Sequence, residues 1–391
     1  MQFPIREIER IFAKVDDRTI YFESMPDYAD NARALFDEMI RRKMNRKYRF
    51  IWATDEEIPA LKGIRNVINI RKSDKIKVVK ALYRSRYIFY THGMSGWIRP
   101  KKGQTIVNLW HGCGYKASRN SHITKKFSLT RIANRGKNCF DYALVPGRAF
   151  IEPKSKFFSC SRDKILPLGY PRYDLLHSDR TGWDRLKEHL DIREKKVILW
   201  MPTYRQTDDP QLKEGKTSNP FFLPMLRSFD ELKLLDQLCG ELGETIIVKR
   251  HRKQLEQGGD YPLDELKHIR FMDDDDLLAV DAQLYQILPW SDALITDYSS
   301  VGVDYVLVDK PMAFLLDDFE EYRALRGFTF EDPREYMPGE KVVNTEQLKK
   351  FLQEIAEGAD PGKTIRESLR GEIQNPCENY CERLLKRFHL I

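Results

Sequence analysis

Twelve short apolar runs recur along the 391 residues, about half of them separated by stretches with helical spacing of apolar positions, and this alternation restricts the fold more than any single motif. In the first half the runs predict strands at 19–23, 49–54, 67–70, 87–91, 105–110, 141–145 and 164–168. In the second half they fall at 196–201, 244–249, 268–272, 293–296 and 311–315. Helices are expected at 28–43 (apolar at 32, 35, 36, 39 and 40), 73–84, 229–242, 281–289, 300–308, 346–357 and 363–388. Strand–helix alternation on this scale calls for parallel sheets covered by helices on both faces. Two such series in tandem give an α/β chain of two doubly wound, Rossmann-like domains facing across a cleft at the carboxyl ends of their strands.

The expected division is an N-terminal domain over 1–172, a C-terminal domain over 173–365 and a C-terminal helical segment over 366–391 that packs back on the first domain. Gly169-Tyr170-Pro171-Arg172-Tyr173-Asp174 reads as the linker, with Asp174 placed to cap the next helix. Residues 206–220 are polar and read as a loop. Cys113, Cys139, Cys160, Cys239, Cys377 and Cys381 are scattered, without the paired spacing of a zinc site, and are expected to be reduced thiols.

Charge is unevenly distributed. Between Arg41 and Lys137 there are 25 Lys and Arg against 4 Asp and Glu, whereas the whole chain carries only +7. The rest is therefore acidic. A basic patch attracts nucleic acid, anionic lipid or a phosphorylated substrate. The basic stretch 115–138, with Ile123, Phe127, Leu129 and Ile132 interleaved, is a candidate helix for an anionic membrane surface. Recognition motifs for nucleic acid are absent, and no nucleic-acid partner is expected. No signal peptide opens the chain and no apolar run approaches the ~20 residues of a spanning helix. The expectation is a cytoplasmic protein, peripheral on the inner face of the cell membrane.

The chemistry concentrates after strands. The run 105–110 ends in Trp110-His111-Gly112-Cys113-Gly114-Tyr115-Lys116, where two glycines allow a sharp turn and a close approach to ligand. A histidine there can take a proton from a hydroxyl near neutral pH. Met201-Pro202-Thr203-Tyr204-Arg205 ends the first strand of the second series, and Lys249-Arg250-His251-Arg252 ends the second with a cationic run suited to phosphate. Thr296-Asp297-Tyr298-Ser299-Ser300 opens a helix whose hydroxyls cap it and whose free amides attract anions, with Asp304 one turn in. No Asp-x-Asp pair presents a metal, and 273–276 reads as a solvated acidic turn. Metal-independent transfer from a nucleotide-activated donor to a hydroxyl follows as the simplest chemistry.

These residues carry a family resemblance. Tyr21-Phe22-Glu23-Ser24 with Asp30-Asn31-Ala32-Arg33-Ala34-Leu35, then Trp110-His111-Gly112, Gly169-Tyr170-Pro171-Arg172-Tyr173-Asp174, Pro202-Thr203-Tyr204-Arg205, Thr296-Asp297-Tyr298-Ser299-Ser300 and Arg326-Gly327-Phe328 resemble, in order, the signatures of the CDP-glycerol glycerophosphotransferases of teichoic-acid and capsule synthesis. The resemblance implies a GT-B-like fold. It implies transfer of a polyol phosphate from a CDP-polyol, releasing CMP, to a lipid-linked saccharide or growing polymer. It makes His111 the general base attacking through the acceptor hydroxyl at the donor β-phosphorus, with His251 the second histidine of the site. Arg250 and His251 would hold the pyrophosphate beside Ser299 and Ser300, Pro202 and Thr203 would lie by the nucleotide, and Asp304 by a donor hydroxyl. Gly112, Lys116, Arg172, Arg205, Thr296 and Asp297 complete the implied substrate-binding set. No cofactor is implied beyond the CDP-polyol itself. Cys113-Gly114-Tyr115 replaces the usual Thr-Pro-Leu, and Arg250 stands where an apolar residue usually precedes the second histidine. CDP-glycerol is the leading donor, with CDP-ribitol, or a nucleotide sugar in a GT-B glycosyltransferase, as the alternatives.

Overall fold

A computed structural model describes residues 2–94, 100–117, 139–203, 223–250 and 262–391. Most of the basic stretch 115–138 and all of the polar stretch 206–220 lie outside the described residues, as do Arg205 and His251. The described chain forms two compact units. Residues 2–94, 100–112, 139–174 and 377–391 make the first, and 113–117, 175–203, 223–250 and 262–376 the second. The chain thus enters the second unit briefly at 113–117, and its last fifteen residues belong to the first.

In the first unit seven parallel strands run β1 (Asp16–Glu23), β2 (Arg49–Thr54), β3 (Val67–Arg71), β4 (Ser85–Tyr90), β5 (Thr105–Asn108), β6 (Tyr142–Leu144) and β7 (Ile165–Leu166). Their order is β3-β2-β1-β4-β5-β6-β7, so the winding reverses between β1 and β4. An aromatic cluster fills one face: Phe22 stacks on Trp52 at 5.2 Å and on Phe89 at 5.6 Å, and Phe36 of the helix Asp30–Arg41 meets Phe22, Phe50 and Trp52 edge-on. Each such ring taken fully out of water stabilises the fold by about 1.5–3 kcal/mol. The helix buries Ala32, Leu35, Phe36 and Met39, the stripe its spacing predicts.

In the second unit six parallel strands, β8 (Lys196–Met201), β9 (Glu244–Lys249), β10 (Ile269–Met272), β11 (Ala293–Thr296), β12 (Met312–Leu315) and β13 (Glu340–Val342), run in the order β10-β9-β8-β11-β12-β13. The winding reverses between β8 and β11. All four residues of β11 and of β12 are buried, which explains why Thr296 is the one polar residue among them.

Several expectations are corrected. The run 105–110 stays in strand only to Asn108, because Trp110 takes a left-handed φ of +57° and turns the chain. The sequence 169–174, at whose end the chain passes into the second unit, is packed rather than exposed: Tyr170 and Tyr173 are fully buried, and the Asp174 carboxylate caps not the next helix but the last one, accepting the amides of Tyr380 at 2.6 Å and Cys381 at 2.9 Å. The single helix expected over 363–388 is two, Lys363–Ile373 and Tyr380–Arg387, since Pro376 has no amide to donate and disfavours helix at Asn375. Residues 273–276 are not a solvated turn; Asp273 N-caps the helix Asp274–Ala279 in a reciprocal capping box with Asp276. The expected helix 300–308 is one α-turn, Val301–Asp304, followed by a 3-10 turn, Tyr305–Leu307. Helices at Gln2–Phe12, Ile151–Phe158 and Phe319–Leu325, and strand β13, add to the expected elements, although Ile5, Ile8 and Phe12 already give the first a helical spacing.

Candidate active site

In the first unit the carboxyl ends of β1, β4 and β5 converge where the winding reverses, the place where open α/β sheets bind ligands. Thr91 follows β4. Its amide donates to the Glu23 carbonyl at 3.2 Å and its hydroxyl accepts from the Met25 amide at 3.3 Å, which joins the ends of β1 and β4. After β5, Leu109 extends the ladder by one bond to the Tyr90 carbonyl at 2.7 Å. The Asn108 side chain then accepts the Trp110 amide at 2.9 Å and closes the turn that carries His111. Gly112 follows at φ +137°, a conformation that a side chain would strain.

The His111 ring is held on several sides. Nδ1 lies 3.3 Å from the Thr91 carbonyl oxygen. A carbonyl only accepts, so Nδ1 carries the proton and Nε2 keeps its lone pair. The His92 ring lies face to face with it, centroids 3.9 Å apart at 8°, and the Trp110 ring is tilted against it at 4.2 Å. Burial, then His92 and Lys154, push the imidazole down to about 3, with Arg172 acting in the same direction and the Thr91 carbonyl opposing. His111 is therefore neutral throughout the physiological range. The Lys154 ammonium sits 4.1 Å above the Trp110 ring.

Beneath the turn is a brace. Arg172, buried, donates from Nη1 to Asp30 at 2.7 Å and to the His111 carbonyl at 3.0 Å, while its amide donates to Asn31 Oδ1 at 3.2 Å. Asn31 Nδ2 in turn donates to the Trp110 carbonyl at 2.9 Å. The neighbours Asp30 and Asn31, with Arg172 141 residues beyond Asn31, thus fix one backbone turn.

In the second unit the ends of β8 and β11 are tied where that sheet reverses. The Thr296 hydroxyl donates to the Met201 carbonyl at 2.8 Å, and the buried Asp297 carboxylate accepts the Thr203 amide at 2.8 Å. Pro202 lies between these two ties. The Ser299–Ser300 turn follows, but Ser300 makes no side-chain cap, correcting the expected capping. The amides of Gly302, Val303 and Asp304 return to the carbonyls of Ser299 and Ser300. Asp304 is fully buried and accepts the Tyr285 hydroxyl. Arg250 extends the β9 ladder to Met272 at 2.8 Å and lays its half-buried guanidinium over Phe271 at 5.2 Å. Burial lowers its pKa, with Asp273 and Asp276 opposing.

Residues 113–117 complete this site. A Cβ on Gly114 would stand 3.0 Å from the Ser300 backbone nitrogen and Cα. Lys116 pairs antiparallel with Phe328, and the Thr329 amide donates to the Tyr115 carbonyl at 2.7 Å. The Arg326-Gly327-Phe328 signature thus bridges to the segment that follows His111-Gly112, and Phe328 packs on Tyr298 at 5.2 Å. Reading motifs singly missed these pairings. It also missed His92, although Thr91-His92-Gly93 and Trp110-His111-Gly112 place a His-Gly pair just beyond two neighbouring parallel strands. That repetition was the available signal. Among the described residues no group of three or more His, Cys, Asp or Glu is placed to hold a metal ion. Nor is any described helix long and apolar enough to cross a membrane.

The profile of the CDP-Glycerol:Poly(glycerophosphate) glycerophosphotransferases matches residues 7–375. The chain belongs to this family. The resemblance read from the ordered stretches is therefore borne out at the level of the family. Among relatives, a teichoic acid poly(glycerol phosphate) polymerase of Staphylococcus epidermidis is 29% identical over 87% of this chain and 46% of its own length. A teichoic acid poly(glycerol phosphate) polymerase of Bacillus subtilis is 30% identical over 88% of this chain and 44% of its own length. The chain spans about half the length of these two polymerases. A teichoic acid glycerol-phosphate transferase of Staphylococcus aureus is 28% identical over 90% of this chain and 87% of that one. The structure of the wall teichoic acid polymerase TagF superposes with a TM-score of 0.74, covering 100% of this chain and 93% of that one at 23% identity, which bears out the GT-B-like, doubly wound α/β class.

Proposed function

We propose that this glycerophosphotransferase family member moves glycerol phosphate from CDP-glycerol to a hydroxyl of a lipid-linked saccharide or a growing teichoic-acid or capsule polymer. The observation that carries the reading is the His111 imidazole, neutral, with Nδ1 fixed on the Thr91 carbonyl and Nε2 left as the acceptor of a proton. The acceptor oxygen attacks the donor β-phosphorus and its proton passes to His111 Nε2. The bond from that phosphorus to the bridging oxygen breaks, and CMP leaves with the electron pair. A bound phosphate group offsets the fields of Lys154 and Arg172, two of the influences that weaken the base, so donor binding strengthens it.

The second unit holds the nucleotide in this proposal. Pro202 and Thr203 lie by the cytidine, Arg250 and His251 hold the pyrophosphate with Ser299 and Ser300, Lys116 and Arg205 contribute charge, and Asp304 orients a donor hydroxyl. Thr296, Asp297 and Arg172 shape backbone. Transfer proceeds without a metal ion, so EDTA leaves the rate unchanged. The excess of Lys and Arg between Arg41 and Lys137 favours a place on the anionic inner face of the membrane. Co-sedimentation with vesicles that does not depend on anionic lipid would reject that placement.

A ribitol donor is the second reading, favoured by likeness to the ribitol-phosphate polymerase TarL of Staphylococcus aureus, 26% identical over 84% of this chain. The deciding experiment supplies CDP-glycerol or CDP-ribitol with a lipid-linked disaccharide bearing or lacking glycerol phosphate, and measures CMP. Acceptor-dependent CMP from CDP-glycerol is expected, with a loss of ~10²–10⁴-fold in His111→Ala. Release of UDP or GDP from a nucleotide sugar in place of CMP would overturn the reading.

A further inference from the structure

We propose that His92 is the positioning residue of His111: the stacked imidazole, anchored with it on Thr91, sets the plane of the His111 ring and the direction of its Nε2. The inference rests on His111 being the base and adds a residue outside the ordered signatures.

Thr91 serves both rings. Its carbonyl receives His111 Nδ1 at 3.3 Å, and its hydroxyl lies 3.0 Å from His92 Nδ1. Thr91 is itself fully buried and fastened to Glu23 and Met25, so the anchor belongs to the sheet rather than to a free loop. The hydrogen bond at Nδ1 fixes one point of the imidazole, and the Trp110 ring, tilted 32° against it, leaves its plane some freedom to rock. The parallel face of His92, at 3.9 Å and 8°, removes that freedom. The turn at Trp110 makes the meeting possible. Tyr90 and Asn108 are paired across β4 and β5, so His92 and His111 lie two and three residues beyond the same register, and the left-handed Trp110 takes up the extra residue.

The stack also has an electrostatic consequence. A neutral His92 offers a π face to the imidazolium formed on His111, whereas a protonated one opposes it. The charged groups acting on the pair are Asp30 and Arg172 at His92, and Lys154 and Arg172 at His111. Burial, the largest influence, holds His92 below its ordinary value, with Arg172 in the same direction and Asp30 opposed, which favours the neutral stack.

The test compares His92→Ala, His92→Phe and His111→Ala in the CMP-release assay, with imidazole ¹⁵N NMR of His111 in the same proteins. A flat ring without ionisation separates stacking from titration. His92→Ala is expected to lower kcat by about 10- to 100-fold, as small misplacements of a reacting group do, with little change in donor KM. His92→Phe recovers most of it. In the spectra, His111 is a single Nδ1–H tautomer in the native protein and in His92→Phe, and a mixture in His92→Ala. Native kcat in His92→Ala, or a His92→Phe protein as impaired as it, overturns the proposal, as does an unchanged His111 spectrum. If His111→Ala keeps its turnover while His92→Ala still alters the His111 tautomer, the base assignment fails and the stack stands.

Discussion

The Asp297 carboxylate receives the amide of Thr203 at 2.8 Å, both of them buried, across ninety-four residues of sequence. The bond joins the loops after β8 and β11 at the one place in this sheet where neighbouring strands wind in opposite directions. Asp297→Ala strands the Thr203 amide away from water and costs roughly 1–3 kcal/mol. The expected result is a lower denaturant midpoint together with a raised KM for the CDP-polyol. A midpoint and KM equal to those of the native protein would show that the tie is incidental.

Gly114 is required by space. The added methyl of Gly114→Ala meets the Ser300 backbone, which cannot rotate aside as a side chain can. Overpacking of this kind costs about 1–3 kcal/mol. Because the displaced backbone is the Ser299–Ser300 turn, the loss is expected in donor KM before it appears in kcat. Isothermal titration with CDP-glycerol reads it directly, and native affinity would refute it.

Arg172 is expected to act through backbone. Removing it leaves Asp30 and the His111 carbonyl without their shared donor, at a cost of about 3 kcal/mol. Arg172→Lys keeps the charge but lacks the fork that reaches both partners, so its turnover falls between those of native protein and Arg172→Ala. Equal kcat in Lys and native forms would show that charge alone matters.

Acid sensitivity follows from His111. Its folded value, about 3, lies below the ordinary 6.5, so on acidification the unfolded chain takes up the proton first. Its contribution is intact above pH 6.5 and is lost progressively as pH falls toward 3. Between pH 6.5 and 5 the loss is about 2 kcal/mol. Urea midpoints for native protein and His111→Asn at pH 7.5 and 5 isolate this from other groups; the variant is expected to lose less. Equal losses would contradict the depressed value.

The strands that sequence located to the residue, β2, β8, β9 and β11, are runs whose side chains are mainly apolar because the sheet is covered on both faces. Burial there writes directly into composition. The family was legible for a related reason: its signatures lie just beyond such strands and keep their order. Less was legible where a side chain answers to something distant. Asp174 looks like the cap of the helix after it, and nothing nearby says that the amides it serves are those of Tyr380 and Cys381.

By itself, then, sequence determined the alternation that forces two parallel sheets and the membership in the glycerophosphotransferases, and it singled out His111 as the base proposed here. Tertiary structure alone decided what surrounds that histidine: His92 against its face, the Thr91 carbonyl on its Nδ1, and Asn31 with Arg172 beneath its turn. The physical reason is range. Strand and helix patterns arise from neighbours two to four residues apart, whereas the state of a buried imidazole depends on which distant groups the sheet order brings within about 4 Å of it.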